Sequence, residues 1–172
     1  MKFNPRELLL VPNLLTLFRL LFFPVPVIMI AQGHDNIALG LLALAIFTDV
    51  LDGTLARKLN QVSELGKILD PLADKLGIAA LVVALVIYKD FPWWAAAIII
   101  VRDLVLLIGG LTMLKTSDTV PTSNFLGKLT ALMWVISIIT YLTSYILAQK
   151  IALITALVMT PVSFALYLKQ RR

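Results

Sequence analysis

The stretch that decides the fold runs from Asp49 to Asp74 and reads DVLDGTLARKLNQVSELGKILDPLAD. It places four carboxylates in apolar surroundings, namely those of Asp49, Asp52, Asp70 and Asp74. An ionised carboxylate at bilayer depth costs about 2.5–3.5 kcal/mol on insertion scales, so four of them need cationic compensation. The stretch therefore predicts two helices that share an acidic site.

The spacing of the acids predicts how these two helices meet. With ~3.6 residues per turn, residues at i, i+3, i+4 and i+7, or at i, i+4 and i+8, share a face. The first face holds Asp49, Asp52, Gly53 and Ala56, and the second holds Gly66, Asp70 and Asp74. A polar connector over residues 58–63 favours antiparallel neighbours. We therefore expect Asp49 to lie level with Asp74, and Asp52 level with Asp70.

A cluster of four carboxylates is typical of a site for magnesium, manganese or calcium, and the chain has no Cys and one His to favour a softer metal. Two ions held by shared carboxylates are suited to phosphoryl chemistry. The small residues Gly53, Ala56 and Gly66 leave room for a phosphate-bearing ligand, although they also suit close helix packing. Arg57 carries a guanidinium fork that matches phosphate oxygens. Structural ion pairs are the alternative, but nearby bases are too few to neutralise four acids.

The pattern resembles a known family, the CDP-alcohol phosphotransferases. Their signature is Asp, two residues, Asp-Gly, two residues, Ala-Arg, eight residues, Gly, three residues, Asp, three residues, Asp. The sequence matches it at all eight fixed positions, which are Asp49, Asp52, Gly53, Ala56, Arg57, Gly66, Asp70 and Asp74. The resemblance extends over most of the chain, from the PNLLT of residues 12–16 to Gly127-Lys128.

The resemblance implies an enzyme and a division of roles. Asp49, Asp52 and Asp70 would bind two Mg²⁺ or Mn²⁺ ions, while Asp74 would lie at the metal site and act as general base. Gly53, Ala56, Arg57 and Gly66 would hold the CDP group. The implied reaction moves a phosphatidyl group from CDP-diacylglycerol to an alcohol, releases CMP, and serves phospholipid synthesis. The resemblance also implies a homodimer.

The acceptor alcohol is less closely defined by the resemblance. The opening at residues 13–16 and the general layout look like the glycerol-3-phosphate phosphatidyltransferases, which make phosphatidylglycerophosphate. The string from Arg102 to Gly110 looks more like the cardiolipin synthases of the same superfamily, whose acceptor is phosphatidylglycerol. Glycerol-3-phosphate is our preferred acceptor and phosphatidylglycerol the alternative, ahead of serine and inositol phosphate.

Composition sets the protein class. The 172 residues are 60% hydrophobic with a mean hydropathy of +0.94, which predicts an all-α integral membrane protein of one domain, residues 1–172. Nucleic-acid binding does not suit so apolar a chain. We expect a short interfacial amphipathic helix over residues 2–11 and a six-helix transmembrane bundle over residues 13–168. The six spans are predicted at about 13–31, 37–59, 64–88, 93–115, 124–147 and 151–168, with Pro24 and Pro26 bending the first.

Six spans would place both termini on the same side of the membrane. With cytoplasmic termini, only Lys89 and Lys150 of the 15 basic residues would fall in outer loops. This agrees with the positive-inside rule. We therefore expect a multi-pass protein of the plasma or inner membrane with its active site facing the cytoplasm, and the net charge of +5 favours contact with anionic lipids.

A polar face on the first span comprises Asn13, Thr16 and Arg19. By resemblance it would line the nucleotide or acceptor pocket, although Asn13 could instead cap the helix. Arg19 lies in an apolar run, where it needs an anionic partner.

Three further cations, Lys75, Arg102 and Lys128, are candidates for the acceptor site. Lys75 could balance the acid cluster or contact the acceptor. Arg102 could bind the acceptor phosphate or pair with the acid cluster, and its neighbour Asp103 should point to a different face, so that the two need not pair. Lys128 could meet an anionic headgroup or the substrate.

A cation channel or transporter with an aspartate-lined pathway is the alternative from another functional class. Against it, the acids are confined to two neighbouring helices, and Gly66 and Arg57 have no role in transport at those spacings. An inactive scaffold is disfavoured because every carboxylate of the signature is present.

Overall fold

The computed structural model describes residues 10–58, 65–116 and 125–169, with the side chains of residues 11–12, 49–58, 67, 111–116 and 167–169 outside that description. Every regular element in these three segments is an α-helix, as predicted. The helices are α1 Val11–Phe22, α2 Pro24–Ala31, α3 Asp35–Lys58, α4 Gly66–Tyr88, α5 Trp93–Thr116, α6 Phe125–Thr140 and α7 Ile146–Lys169. The interfacial helix predicted over residues 2–11 falls almost entirely on residues 1–9, which lie outside the described residues.

The first predicted span is divided into α1 and α2 at Phe23, directly before the prolines that were expected to bend it. Pro24 has no N–H to continue the hydrogen-bond ladder of α1, so a new helix begins there. Of the two roles considered for Asn13, capping of the first span is excluded, since Leu10 occupies the N-cap position. Because proline is tolerated in the first turn, α1 begins at Val11 and contains Pro12. Asn13 therefore lies inside the helix, where it is 1% exposed.

The boundary between α6 and α7 differs from the prediction. Helix α6 ends at Thr140 rather than near 147, and α7 begins at Ile146, so the expectation that Lys150 lies in a loop was wrong. At the end of α6, short polar side chains bond to nearby carbonyls: Thr140 Oγ1 donates to Ser137 O over 2.8 Å and Thr143 Oγ1 to Thr140 O over 2.7 Å. Such bonds compete with the helical ladder.

Three turns meet at one end of the bundle. Lys89 Nζ, after α4, lies 2.5 Å from Asp35 Oδ2 at the start of α3. The ring of Phe91, before α5, packs edge-to-face on Tyr141, after α6, with centroids 4.7 Å apart. Burial raises the pKa of the Tyr141 hydroxyl above its ordinary value. The α2–α3, α4–α5 and α6–α7 turns are therefore neighbours.

The core and the outer surface suit a lipid environment. A contiguous apolar core joins α2 to α7, and it comprises Ile30, Ala38, Leu42, Leu81, Val82, Ala84, Leu85, Phe91, Ala95, Ala96, Ile99, Trp134, Ile138, Leu142, Leu153 and Ala156. Within the described segments, four helical stretches are long and apolar enough to cross a membrane, at Asn13–Ala31, Ile68–Tyr88, Trp93–Gly110 and Ile146–Leu166. Asp35–Thr48 and Phe125–Thr140 are shorter apolar helices. Large apolar side chains such as Leu21, 78% exposed, cover the outer faces, as expected of a membrane protein.

Candidate functional site

Helix α1 lies along α4 through three successive contacts. Thr16 Oγ1 donates a hydrogen bond to Asp70 Oδ1. One turn later, Arg19 Nη1 donates to Asp74 Oδ1 over 3.0 Å. The ring of Phe23 follows and sits where a side chain at Gly77 would have to go. Because residue numbers rise together along both helices, α1 and α4 run parallel, and α1 presents its polar face to the carboxylates.

The ion pair of Arg19 and Asp74 confirms that the buried arginine has an anionic partner. The arginine side chain is 8% exposed and the aspartate side chain 41%. Burial removes water from the guanidinium, so the carboxylate supplies charge compensation that an arginine needs in an apolar span. The pair is thus fixed on the arginine side and accessible on the aspartate side.

Helix α3 carries the other half of the signature. Its helical backbone includes the signature residues Asp49, Asp52, Gly53, Ala56 and Arg57. The side chains of these residues are outside the described part of the chain. The contact between Asp35 and Lys89 joins the beginning of α3 to the end of α4, so these two helices run antiparallel, as expected.

This contact also defines a register between the two helices. Asp49 follows Asp35 by fourteen residues, and Lys75 precedes Lys89 by the same number. At about 1.5 Å per residue, both positions lie ~21 Å from the contact, so the backbone of α3 at Asp49 is level with α4 at Lys75, one residue past Asp74. The alignment of Asp49 with Asp74 stays a prediction, because the side chain of Asp49 lies outside the described residues.

A second set of charges connects α4 to α5. Lys75 Nζ lies 2.9 Å from Asp103 Oδ2, and Arg102 Nη1 lies 2.8 Å from Asp103 Oδ1. The expectation that Arg102 and Asp103 need not pair was wrong, because the long stem of an arginine lets its guanidinium turn back to the adjacent residue. Lys75 and Arg102 share this buried carboxylate, and the three side chains carry one net positive charge.

The cationic group continues to the start of α6. Arg102 Nη2 donates to the carbonyl oxygen of Gly127 over 3.3 Å. Lys128, the next residue, is exposed, and the space beside Gly127 is open. Arg102 therefore links α5 to the position from which Lys128 extends.

A cavity of about 470 Å³ opens beside Asp74. Its polar end is formed by Arg19, Asp74 and Lys75. Its remaining lining is apolar and comes from α1, α3, α4 and α6: Phe23, Leu42, Ala45, Ile46, Ile78, Leu81, Leu132, Val135, Ile136, Ile138 and Ile139. Ile46 and Leu132 are about half exposed, at 48% and 51%. The cavity therefore reaches the apolar surface of the bundle between α3 and α6.

The donor atoms at the site suit a hard cation. Within the described side chains, no three acidic, His or Cys groups lie close enough to hold a metal ion. Asp70 and Asp74 are oxygen donors one turn apart on the same helix, and Asp49 and Asp52 lie within the helical backbone of α3. Oxygen-only donors of this kind suit Mg²⁺, Mn²⁺ or Ca²⁺.

Comparison with known proteins identifies the family. The family model described as CDP-alcohol phosphatidyltransferase matches residues 9–162, which is most of the chain. The chain belongs to the CDP-alcohol phosphatidyltransferase family. This confirms the resemblance inferred from the signature residues, and members of this family are enzymes.

Several CDP-alcohol phosphatidyltransferases are clearly similar to the chain. A CDP-diacylglycerol–glycerol-3-phosphate 3-phosphatidyltransferase of Bacillus subtilis is 38% identical over 133 residues, which cover 69% of this chain and 68% of the relative. A CMP-forming cardiolipin synthase of Streptomyces coelicolor is 36% identical over 71% of this chain and 60% of the relative. The CMP-forming cardiolipin synthase of Homo sapiens is 43% identical over 69% of this chain and 39% of the relative. The chain thus spans less than two thirds of the length of both cardiolipin synthases.

One residue of the site was not singled out from the sequence. Asp103 is 5% exposed and joins Lys75 to Arg102, yet it entered the sequence analysis only as the neighbour of an arginine. The sequence does carry a signal for it, because an acidic residue inside an apolar helix indicates a functional site. The same reasoning singled out the other aspartates. The acids of α4 and α5 therefore serve different partners.

Proposed function

We propose that this protein transfers a phosphatidyl group from CDP-diacylglycerol to the hydroxyl group of an alcohol acceptor and releases CMP. The observation that carries the proposal is the pair of α4 carboxylates, Asp70 and Asp74, one turn apart, with Asp74 at the polar end of the cavity. Family membership supports the same reaction class and favours an enzyme over a channel or transporter.

In the proposed reaction, the acceptor oxygen bonds to the phosphorus that bears the diacylglycerol. The bond from that phosphorus to the oxygen it shares with the CMP phosphorus breaks, and CMP leaves with the shared oxygen. The hydroxyl proton passes to the carboxylate of Asp74, which is the proposed general base. Proton transfer to a positioned base contributes about 10²–10⁴-fold to such reactions.

The proposed metal ligands are Asp49, Asp52 and Asp70, with Asp74 beside them. When bound, a pair of Mg²⁺ or Mn²⁺ ions would neutralise the negative charge of the pyrophosphate. The all-carboxylate donor set and the antiparallel register of α3 and α4 support this assignment.

The proposed site for the CDP group is the small-residue face of α3 and the start of α4. Gly53, Ala56 and Gly66 would let the nucleotide lie against the helix backbones, and Arg57 would bind phosphate oxygens. Gly66 is buried at the first position of α4, in keeping with a close approach at that point.

Glycerol-3-phosphate is the proposed acceptor. Lys75, Arg102 and Asp103 leave one excess positive charge, and the exposed Lys128 adds another, so this group suits a phosphate anion. The polar face of α1, with Asn13, Thr16 and Arg19, would form the wall of the pocket on the other side of α4.

Phosphatidylglycerol is the second candidate acceptor. The apolar lining of the cavity and its opening between α3 and α6 suit a substrate that carries acyl chains and enters from the membrane. The donor CDP-diacylglycerol has the same property, so the cavity supports a lipid substrate in either role.

We also propose a single-domain, six-span membrane protein that acts as a homodimer. The six apolar helical stretches and the meeting of three turns at one end support this count. The proposed orientation places those turns outside and the acidic site on the cytoplasmic side of the plasma or inner membrane, as the distribution of basic residues suggests.

The test is CMP release from CDP-diacylglycerol by the purified protein in mixed micelles with Mg²⁺ or Mn²⁺. Separate reactions would contain glycerol-3-phosphate, phosphatidylglycerol, serine or inositol phosphate. We expect release with glycerol-3-phosphate; release with phosphatidylglycerol alone would select the second candidate. Folded protein that releases no CMP with any of them would contradict the proposal.

A further inference from the structure

Arg19, the buried cation of α1, contacts the proposed general base, Asp74. Arg19 is 8% exposed at its side chain, whereas its partner Asp74 is 41% exposed. A guanidinium moved away from this carboxylate inside an apolar span would lose a buried ion pair. The arginine is therefore the stationary member of the pair, and it constrains the carboxylate.

The neighbouring contacts fix this pair along the helix axis. One turn before it, Thr16 bonds to Asp70, and one turn after it, Phe23 packs over Gly77. A slide of α1 along α4 would break both contacts together. The guanidinium of Arg19 is thus held at the level of Asp74 by the packing of two helices.

The same geometry argues against Arg19 as a direct ligand of the acceptor. To reach a phosphate it would have to leave Asp74, while Lys75 and Lys128 present cations that are more accessible. We propose that Arg19 is a positioning residue, which holds the Asp74 carboxylate toward the cavity and does not bind the acceptor. This inference rests on the proposed function, in which Asp74 receives the proton of the acceptor hydroxyl.

The test separates positioning from substrate binding by steady-state kinetics. We expect Arg19→Gln to lower kcat by about 10- to 100-fold while KM for the donor and the acceptor changes by less than about threefold, the pattern of a loss confined to the transition state. Arg19→Lys keeps the charge and should recover part of kcat. In an Asp74→Asn background, Arg19→Gln should cause no further loss, because the group that it positions is already gone.

The control is Lys150→Gln, which changes an exposed lysine on α7 and should leave both kcat and KM unchanged. Thermal unfolding of each variant checks the fold, and Arg19→Lys carries the kinetic test if Arg19→Gln does not fold. A raised KM for the acceptor with unchanged kcat would overturn the inference, and so would additive losses in the double variant. In either case, CMP release by the wild type would still uphold the proposed function. A wild type without CMP release removes the proposed function and the inference with it.

Discussion

At the scale of single residues, the site depends on two neighbours that point apart. Asp74 turns to α1 and pairs with Arg19, while Lys75 turns to α5 and pairs with Asp103. Adjacent residues on a helix are separated by about 100°, so one turn of α4 serves two partners. The anionic Asp74 at the cavity and the cationic Lys75 beside it can thus contact different groups in the same reaction.

The role of Asp74 can be tested by Asp74→Asn. We expect CMP release to fall by about 10²-fold or more, because an amide cannot accept the proton of the acceptor hydroxyl. Affinity for CDP-diacylglycerol should be retained, since the other proposed ligands remain. Release assays and a binding assay with the donor lipid measure the two effects. Turnover at the wild-type rate would exclude Asp74 as the base.

Lys128 offers a test of the acceptor site with little risk to folding, because its side chain is exposed. Lys128→Gln should raise the KM for glycerol-3-phosphate about tenfold, equivalent to ~1.4 kcal/mol, with kcat within about twofold. The effect should shrink as salt is added, as expected for an exposed charge. Lys150→Gln, an exposed lysine on α7, is the matched control. Equal KM values for the two variants would remove Lys128 from the acceptor site.

At the scale of helices, the parallel contact of α1 with α4 sets the position of the carboxylates. The two approach closely at Gly77, where a β-carbon would overlap the ring of Phe23. Phe23 is also the residue at which α1 and α2 divide, so the bend and the close approach coincide. A substitution at Gly77 should therefore affect helix packing more than the reaction itself.

Gly77→Ala should therefore lower stability. The added methyl group must displace the Phe23 ring, and overpacking of this kind costs about 1–3 kcal/mol. The control is Gly40→Ala, since nothing lies within 4 Å of a β-carbon built there. Alanine is the better helix former, so Gly40→Ala should be neutral or slightly stabilising. Thermal unfolding in detergent measures the stability of the two variants. Equal midpoint temperatures would contradict the close approach of Phe23 to Gly77.

Much of the helical layout could be predicted because apolar runs, prolines and charges mark membrane helices strongly. The bend before Pro24 and the bounds of α4 followed from these signals. The end of α6 did not, because no Gly or Pro marks it in the sequence between Thr140 and Ile146. The partner of Arg102 was also missed, since the reach of a long side chain depends on what surrounds it.

The site could be predicted as a set of residues but not as a set of contacts. Spacing alone placed Asp70 and Asp74 on one face, and the need of Arg19 for an anion was plain from its surroundings. Which carboxylate it would meet depended on the parallel register of α1 and α4, helices separated by more than forty residues of chain. Long-range register of this kind is decided by packing, as at Phe23 and Gly77.

At the scale of the whole molecule, the three turns that meet at one end define the two faces of the bundle. The link between Asp35 and Lys89 and the contact between Phe91 and Tyr141 hold this end together. The acidic site lies at the level of Asp70 and Asp74, toward the opposite end. The proposed membrane orientation can therefore be checked at either face.

The orientation can be tested by labelling single introduced cysteines, because the chain has no cysteine of its own. In intact cells, a membrane-impermeant maleimide should label His34→Cys in the α2–α3 turn and Ser144→Cys in the α6–α7 turn. Gln170→Cys should be labelled only after the membrane is permeabilised. The reverse pattern would invert the proposed orientation, and mixed labelling of the two turns would contradict the six-span arrangement.

The pairing of Arg19 with Asp74 has a consequence for biosynthesis. The two residues are 55 positions apart, so at about 5–20 residues per second the arginine is made several seconds before its partner. During that interval the first apolar stretch carries a cation that costs about 2.5–3.5 kcal/mol at the bilayer centre. Stable integration of the N-terminal helices should therefore wait for the arrival of α4, and nascent chains that stop short of Asp74 should be the ones that the cell's quality control removes.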